Sequence, residues 1–233
     1  MILKNTYEKL EIHQGWESAY RLSPLQNKLN HKLMMRIIKY IKPSADSLFL
    51  DAGCGVAAHS IKIAGLGYRC LGVDISSKIL EKAKENISFS GLEDKITVIC
   101  EPLEKLALSD NSFDVIYCRG VLMHIPEWEK SLRNLIRVLK KGGKIVILES
   151  NHDSIETFLV LLLRRFKKNK SKMLETKDGI QFWSYDQTQP FLVRVADIRY
   201  LISRLEGNGI RIIKKFASEF WEIGRFPGGI LRN

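Results

Sequence analysis

Leu48-Phe49-Leu50-Asp51-Ala52-Gly53-Cys54-Gly55 is the stretch on which the fold depends. Its apolar start reads as a short buried strand. An acid follows, and two glycines one residue apart then let the backbone turn sharply and approach a ligand without a Cβ in the way. Residues 59–66 carry helical spacing. Strand, glycine turn and helix in this order open a βαβ unit, and open α/β sheets bind ligands at the carboxyl ends of their strands.

Working outward, Cys70-Leu71-Gly72-Val73-Asp74 is a second buried strand. Ser76 is expected to cap a helix running to Ile87, with Glu81, Lys82, Lys84 and Glu85 as its wet face. Further strands are expected at 96–100, 115–118 and 144–148, with a helix at 127–139 stopped by Gly142 and Gly143. Such alternation means right-handed crossovers and a parallel sheet of order 3-2-1-4-5. Upstream, residues 5–42 read as helical, parted by Pro24, with Leu29, Leu33, Ile37 and Ile41 as the apolar stripe of the second piece. Downstream the alternation breaks. Helices are expected at 154–168 and 193–205, a polar loop at 167–177 and a sixth strand at 210–216. Pro227, Gly228 and Gly229 make 224–233 poor strand material, so a seventh strand is expected to be missing or a stub near Trp221. The edge left open would need the cap or a second copy over it, which makes a homodimer one expectation. The organisation is thus an N-terminal helical cap (1–43), a sheet core (44–150), a cap insertion (151–208) and the last strand or strands of the sheet (209–233). The class is α/β, with a doubly wound, mostly parallel sheet and a helical cap.

With 233 residues, 45% apolar and 27% charged, the chain has an ordinary globular composition. No apolar run is long enough to span a bilayer, and the longest, 158–163, stops at Arg164-Arg165. The first residues lack a signal-peptide pattern, so a cytoplasmic location is expected. Cys54, Cys70, Cys100 and Cys118 form no C-x-x-C pair and read as small buried hydrophobes, with no metal-ligand cluster in view. The formal charge of +11 suits a polyanion, a membrane surface or an acidic substrate, but also a cytosolic enzyme that touches no nucleic acid.

Asp74 lies about twenty residues beyond the glycines, the spacing that sets a carboxylate over the two hydroxyls of a bound ribose. An adenosine-containing cofactor follows. Gly53-Cys54-Gly55-Val56-Ala57-Ala58 also matches the dinucleotide pattern G-x-G-x-x-A. Asp51 weighs against that reading, because an acid before the glycines would repel a pyrophosphate. It suits a cation such as the α-ammonium of a methionine moiety. The electrostatics therefore favour S-adenosylmethionine over NAD.

Five motifs occur in order: Leu50-Asp51-Ala52-Gly53-Cys54-Gly55, Leu71-Gly72-Val73-Asp74-Ile75-Ser76, Asp110-Asn111-Ser112-Phe113-Asp114-Val115-Ile116, Val121-Leu122-Met123-His124-Ile125 and Leu139-Lys140-Lys141-Gly142-Gly143. They resemble the class I S-adenosylmethionine-dependent methyltransferases, in particular the group with the ubiquinone and menaquinone biosynthesis enzymes, over about residues 45–150. The resemblance implies a Rossmann-like sheet, S-adenosyl-L-methionine as cofactor and in-line methyl transfer from sulfonium to a nucleophile. It also implies that Asp51, Gly53 and Gly55 surround the methionine half, that Asp74 holds the ribose and that Ile75 lies against the adenine. Where the family usually has an Asp after the third strand, this chain has Glu101. Pro102 has no amide hydrogen, so the backbone donor to adenine is expected from Leu103. Cys118 and Arg119 would pass under the methionine through their backbone.

Other readings stay open at several positions. Asp51 also reads as a helix cap and Asp74 as a solvated strand end, while Asp114 reads as an anchor for a loop. His124 is the candidate catalytic base for a hydroxyl acceptor, or a supporting residue. Glu149 and Asn151 are candidates to touch substrate. Trp16, Tyr20 and Arg21 would cover the cofactor or pack a helix; Trp183 and Tyr185 would line a pocket or anchor a loop. The run from Phe158 reads as a buried helix with a solvated basic end, or as a device for docking on a membrane surface or capturing an anionic or lipid-linked acceptor. No Asn- or Asp-Pro-Pro-Tyr element and no Pro-Cys nucleophile is present, which disfavours two classes of nucleic-acid methyltransferase. The expected activity is methyl transfer to oxygen or nitrogen of a small-molecule or glycan-like acceptor. Its competitors are an NAD-dependent oxidoreductase, an RNA-modifying methyltransferase suggested by the basic charge, and a cofactor-binding protein without catalysis.

Overall fold

The computed structural model describes Glu8 and residues 24–164, 172–186 and 189–216. Of these, residues 8, 24–122 and 127–148 belong to one compact unit, and 123–126 and 149–216 to a second.

The first unit is a five-stranded sheet of order β3-β2-β1-β4-β5, with β1 Leu48–Ala52, β2 Arg69–Asp74, β3 Ile96–Cys100, β4 Phe113–Arg119 and β5 Leu139–Leu148. Every neighbouring pair is parallel, as the alternating pattern requires. Its helices are α1 Pro24–Ile41, α2 Ala58–Gly65, α3 Ser77–Phe89 and α4 Trp128–Val138. Strand order reverses at β1, and right-handed crossovers then put α2 and α3 on one face and α4 on the other. Phe49, Leu50, Ala52, Val73, Ile116 and Cys118 are all but fully buried between them. This is the Rossmann-like core.

Asp114 fastens the unit at its amino-terminal edge. Its carboxylate accepts the Leu48 amide at 2.9 Å and the Lys140 ammonium at 2.8 Å, joining the entry of β1 to β4 and β5. The anchoring reading of Asp114 holds. The glycine pair does not stop α4: Leu139 is already extended, and Gly142 and Gly143 lie inside β5. Phe113 pairs with Leu139 but Val115 with Lys144, so residues 140–143 bulge outward.

The apolar stripe of α1 is rotated from the expected one. Its buried residues are Asn30, Leu33, Met34 and Ile37, while Leu29 is 45% exposed. The cause is a polar contact: Asn30 Oδ1 accepts from Arg119 Nη1 at 2.8 Å, which turns a hydrophilic position inward.

The second unit contains α5 Ile155–Arg164, an antiparallel sheet of order β6-β7-β8, and α6 Ile198–Gly207. The strands are β6 Lys172–Thr176, β7 Gly179–Asp186 and β8 Gln189–Ala196. Met123, Ile180, Phe182, Val193 and Val195 form its core, with Leu161 and Phe191 against them. Three expectations fail here. Residues 172–176, read as part of a polar loop, form β6; its side chains are exposed, and backbone pairing with β7 alone makes it a strand. The helix expected from Val193 begins at Ile198, because Asp197 accepts the Arg199 and Tyr200 amides at 2.8 and 3.1 Å and sets the helix start there. Residues 210–216 carry no strand, and Ile213 among them is 58% exposed. The expected stub near Trp221 lies outside the described residues.

Burial alone would raise the Asp114 carboxyl, but the Lys140 ammonium and the Leu48 amide outweigh it and hold it below the usual carboxylate range. The folded chain thus binds a proton there less readily than the unfolded one. The stability from this group is complete above the unfolded value of about 3.9 and fades as pH falls through the lower folded value. Asp114→Asn should lower the thermal midpoint at neutral pH, and the gap to the parent should close on acidification below about pH 4; thermal unfolding followed by circular dichroism across pH checks it.

Candidate functional site

The carboxyl ends of β1 and β2 meet at a loop folded by its own amides. Gly53 and Cys54 both donate to the Val73 carbonyl, at 2.7 and 3.0 Å. Gly53 takes φ 73°, and a Cβ added there would lie 2.3 Å from Val121 Cγ2, so only glycine fits. Cys54 fills the space above Gly72, where a Cβ would come within 2.8 Å of its Sγ. Asn86 of α3 donates to the Val56 carbonyl at 3.0 Å and steadies the far side of the loop.

Two carboxylates flank this turn. Asp51 is 2% exposed and accepts from Ser60 Oγ of α2 at 2.6 Å. Asp74 Oδ2 accepts the Gly55 amide at 2.9 Å, and Oδ1 accepts the Ser76 amide at 3.0 Å. A carboxylate has about four acceptor positions, so Asp74 can hold two loops and still accept from a ligand. Ile75 receives the Cys100 thiol at its carbonyl, 3.4 Å away. Glu101 donates its amide to the Asp74 carbonyl at 3.0 Å and accepts the Ala107 amide on Oε2 at 2.9 Å. Leu103 is buried, and its carbonyl accepts from Asn134 at 2.8 Å. Cys118 and Arg119 end β4, with Cys118 fully buried and Arg119 bound to Asn30. Asp51, Gly53, Gly55, Asp74, Ile75, Glu101, Leu103, Cys118 and Arg119 therefore gather along one edge of one unit.

The field at this edge is negative. Burial pushes the Cys54 thiol up, and Asp51 and then Asp74 add to it. Tyr117, beside Asp51 in the sheet register, is raised to about 12, chiefly by burial, against the pull of Arg119. Such a field suits a ligand bearing a cation at the glycine loop and a diol at Asp74, and it opposes a pyrophosphate. The residues present therefore fit S-adenosylmethionine and not NAD.

His124 belongs to the second unit. Its Nδ1 lies 2.8 Å from the Leu192 carbonyl. A carbonyl only accepts, so Nδ1 carries the hydrogen and the lone pair of the neutral ring is on Nε2. Phe191 flanks the ring at 5.3 Å between centroids, and buried Arg194, paired with Asp178 at 2.9 Å, donates to the Ile125 carbonyl at 3.1 Å. Strand β8 thus holds the segment that carries His124. Asn151 accepts the Asp153 amide at 3.0 Å and, through its carbonyl, the Thr157 hydroxyl at 2.8 Å, at the entry to α5. The Glu149 charge acts on Arg194. Trp183 donates to Gln181 at 3.0 Å on β7, which also carries Tyr185. Trp16, Tyr20 and Arg21 lie outside the described residues.

Sequence reasoning missed Ser60, Asn86, Asn30, Asn134 and Glu8. Glu8 accepts from Ser76 Oγ at 3.2 Å and from the Ser77 and Lys78 amides at 3.2 and 3.3 Å, joining Ser76 as a cap on α3. None of the five sits in a motif; a polar residue at the apolar spacing of α1 was the one signal, at Asn30. Among the described residues no cluster of metal-ligating side chains occurs.

An open parallel sheet with an acid-flanked glycine turn at its switch point defines an adenosine-cofactor-binding α/β protein. Residues 50–147 match the family described as methyltransferase domain. The chain is 32% identical over 100 residues to the sterol 4-C-methyltransferase strm-1 of Caenorhabditis elegans, covering 43% of this chain and 30% of that protein. It is 30% identical over 142 residues to a demethylmenaquinone methyltransferase of Bacteroides fragilis, covering 55% and 56%. An S-adenosylmethionine-dependent methyltransferase from Clostridium acetobutylicum shares the fold at 16% identity, with a TM-score of 0.60 over 85% of this chain and 87% of that one. Residues 50–147 thus match a methyltransferase domain, the fold is shared with a solved S-adenosylmethionine-dependent methyltransferase, and the residues of the site fit S-adenosylmethionine as the cofactor. The chain spans from 30% to 56% of the length of these curated relatives.

Gly53→Ala should bring both a Val121 collision and a left-handed alanine, the latter worth about 1–2 kcal/mol. The expected result is a lower thermal midpoint and weaker S-adenosylmethionine binding, with Val121→Ala in the same chain restoring only the part due to the collision. Calorimetric titration and thermal melts of the single and double variants check this.

Proposed function

We propose that this chain transfers the methyl group of S-adenosylmethionine to an oxygen or nitrogen of a small-molecule or glycan-like acceptor. The observation that carries the reading is the pair of carboxylates, Asp51 and Asp74, on either side of a glycine turn at the carboxyl ends of β1 and β2. The cofactor supplies an electrophilic methyl on a sulfonium. In this reading Asp74 accepts from the ribose hydroxyls while its two amide bonds keep it aimed. Asp51, kept in place by Ser60, faces the α-ammonium. Gly53 and Gly55 let the backbone come close to the methionine half, and Cys118 and Arg119 pass beneath it through their backbone. Ile75 packs on the adenine, Glu101 accepts from its amino group, and the Leu103 amide donates to the ring.

His124 is proposed as the base that takes the proton from the acceptor. The Leu192 carbonyl fixes the tautomer that leaves Nε2 as the basic nitrogen. Arg194, by holding Ile125, is proposed to position it.

Asp74→Ala should weaken S-adenosylmethionine binding by roughly 1.5–3 kcal/mol, and NAD should show no binding to the parent in the same calorimeter. Unchanged affinity in the variant would remove Asp74 from the site. Once an acceptor is identified by transfer of radiolabelled methyl, His124→Gln should lower kcat by about a hundredfold or more while leaving cofactor affinity in place. Equal turnover would make His124 a supporting residue.

A further inference from the structure

Helix α5 presents an uncovered apolar stripe. Ile155 and Phe158 are each 64% exposed, Leu159 37% and Leu162 39%. They stand at i, i+3, i+4 and i+7, one face of a helix. Thr157 is buried and Leu161 packs on the core of the unit, so the helix is already seated by other residues. Met173 and Leu174, on β6, are exposed as well. A stripe of this kind normally faces a core; left in water it marks an interaction surface.

The sequence that follows α5 identifies the partner. From the last residue of α5 the chain reads Arg164-Arg165-Phe166-Lys167-Lys168-Asn169-Lys170-Ser171-Lys172, with a cation at six of nine positions and no acid. A second copy of this chain carries the same run and the same net charge of +11, and like charge disfavours its association. An anionic bilayer offers apolar material and negative charge together. Helix α5 has ten residues, about 15 Å in length, against a hydrocarbon core of about 30 Å. It is suited to lie in the interface plane and not to cross it, and no helix among the described residues is long and apolar enough to cross.

We propose that the α5 face docks this protein on an anionic lipid bilayer, with Ile155, Phe158, Leu159 and Leu162 entering the headgroup boundary and the cations that follow α5 in the sequence meeting lipid phosphates. The proposal does not depend on the acceptor or on methyl transfer.

Co-sedimentation of the full chain with vesicles of phosphatidylglycerol and of phosphatidylcholine tests it. Binding is expected to phosphatidylglycerol only, and to fall with added salt. Ile155→Ser with Phe158→Ser and Leu162→Ser should cut it at least tenfold without a change in thermal midpoint, because these side chains are exposed. Lys167→Gln with Lys168→Gln and Lys170→Gln should cut it about a hundredfold, at about fivefold for each cation. In Phe158→Trp the added indole emission should shift to the blue with phosphatidylglycerol vesicles, a readout independent of the serine variant. Three results each overturn the proposal: no binding to phosphatidylglycerol, a serine variant that binds as tightly as the parent, and no blue shift in Phe158→Trp. A parent that sediments as a dimer and becomes a monomer in the serine variant overturns it too, by showing that a second copy covers the face.

Discussion

The Asp74 carboxylate ties together two segments that the strands alone leave apart. One oxygen takes the Gly55 amide at the start of the β1–α2 turn, and the other takes the Ser76 amide at the cap of α3. The Asp74 carbonyl then takes the Glu101 amide beyond β3. A single residue thus sets the relative positions of three loops at the edge where the sheet binds its cofactor. Charge-assisted bonds to backbone amides are stronger than neutral ones and do not depend on neighbouring side chains. The same carboxylate is the group proposed to meet the ribose, so the residue that would bind also builds the frame around itself.

Much of this edge is made of backbone. Gly53 and Cys54 give their amides to the Val73 carbonyl, and Val121 stands where a Gly53 side chain would be. The supporting side chains come from other elements: Ser60 to Asp51, Asn86 to Val56, Asn134 to Leu103 and Asn30 to Arg119. Each is a buried or half-buried polar group that satisfies another, which keeps a polar site from undermining a parallel sheet covered on both faces. Arg137 does the same for the β3–β4 connection, donating to the Leu106 and Leu108 carbonyls at 2.7 Å.

The relatives this chain is similar to carry different names: one is named a sterol 4-C-methyltransferase, another a demethylmenaquinone methyltransferase. The matched stretch, 50–147, ends where the second unit begins to supply most of its residues. One matched frame under different names is in keeping with function residing in groups grafted on a fold. The second unit is built on a three-stranded meander whose buried Arg194 is paired with Asp178 and bound to the segment next to His124.

Local signals were sufficient for the sheet core. The alternation of apolar runs with helical spacing, the acids ending β1 and β2, the glycines between and the Ser76 cap all act within a few residues, so order, direction and cofactor were legible before any coordinates. Beyond Glu149 the same signals misled. Residues 172–176, exposed along their whole length, became a strand through backbone pairing with β7, and residues 210–216, apolar enough, did not, because strand propensity is overridden by context. The inward turn of Asn30, the capping by Glu8 and the bond from His124 to Leu192 join residues 89, 68 and 68 positions apart. Spacing along the chain carries no trace of such contacts. They follow from where packing brings the elements, and that was decided by the tertiary structure alone.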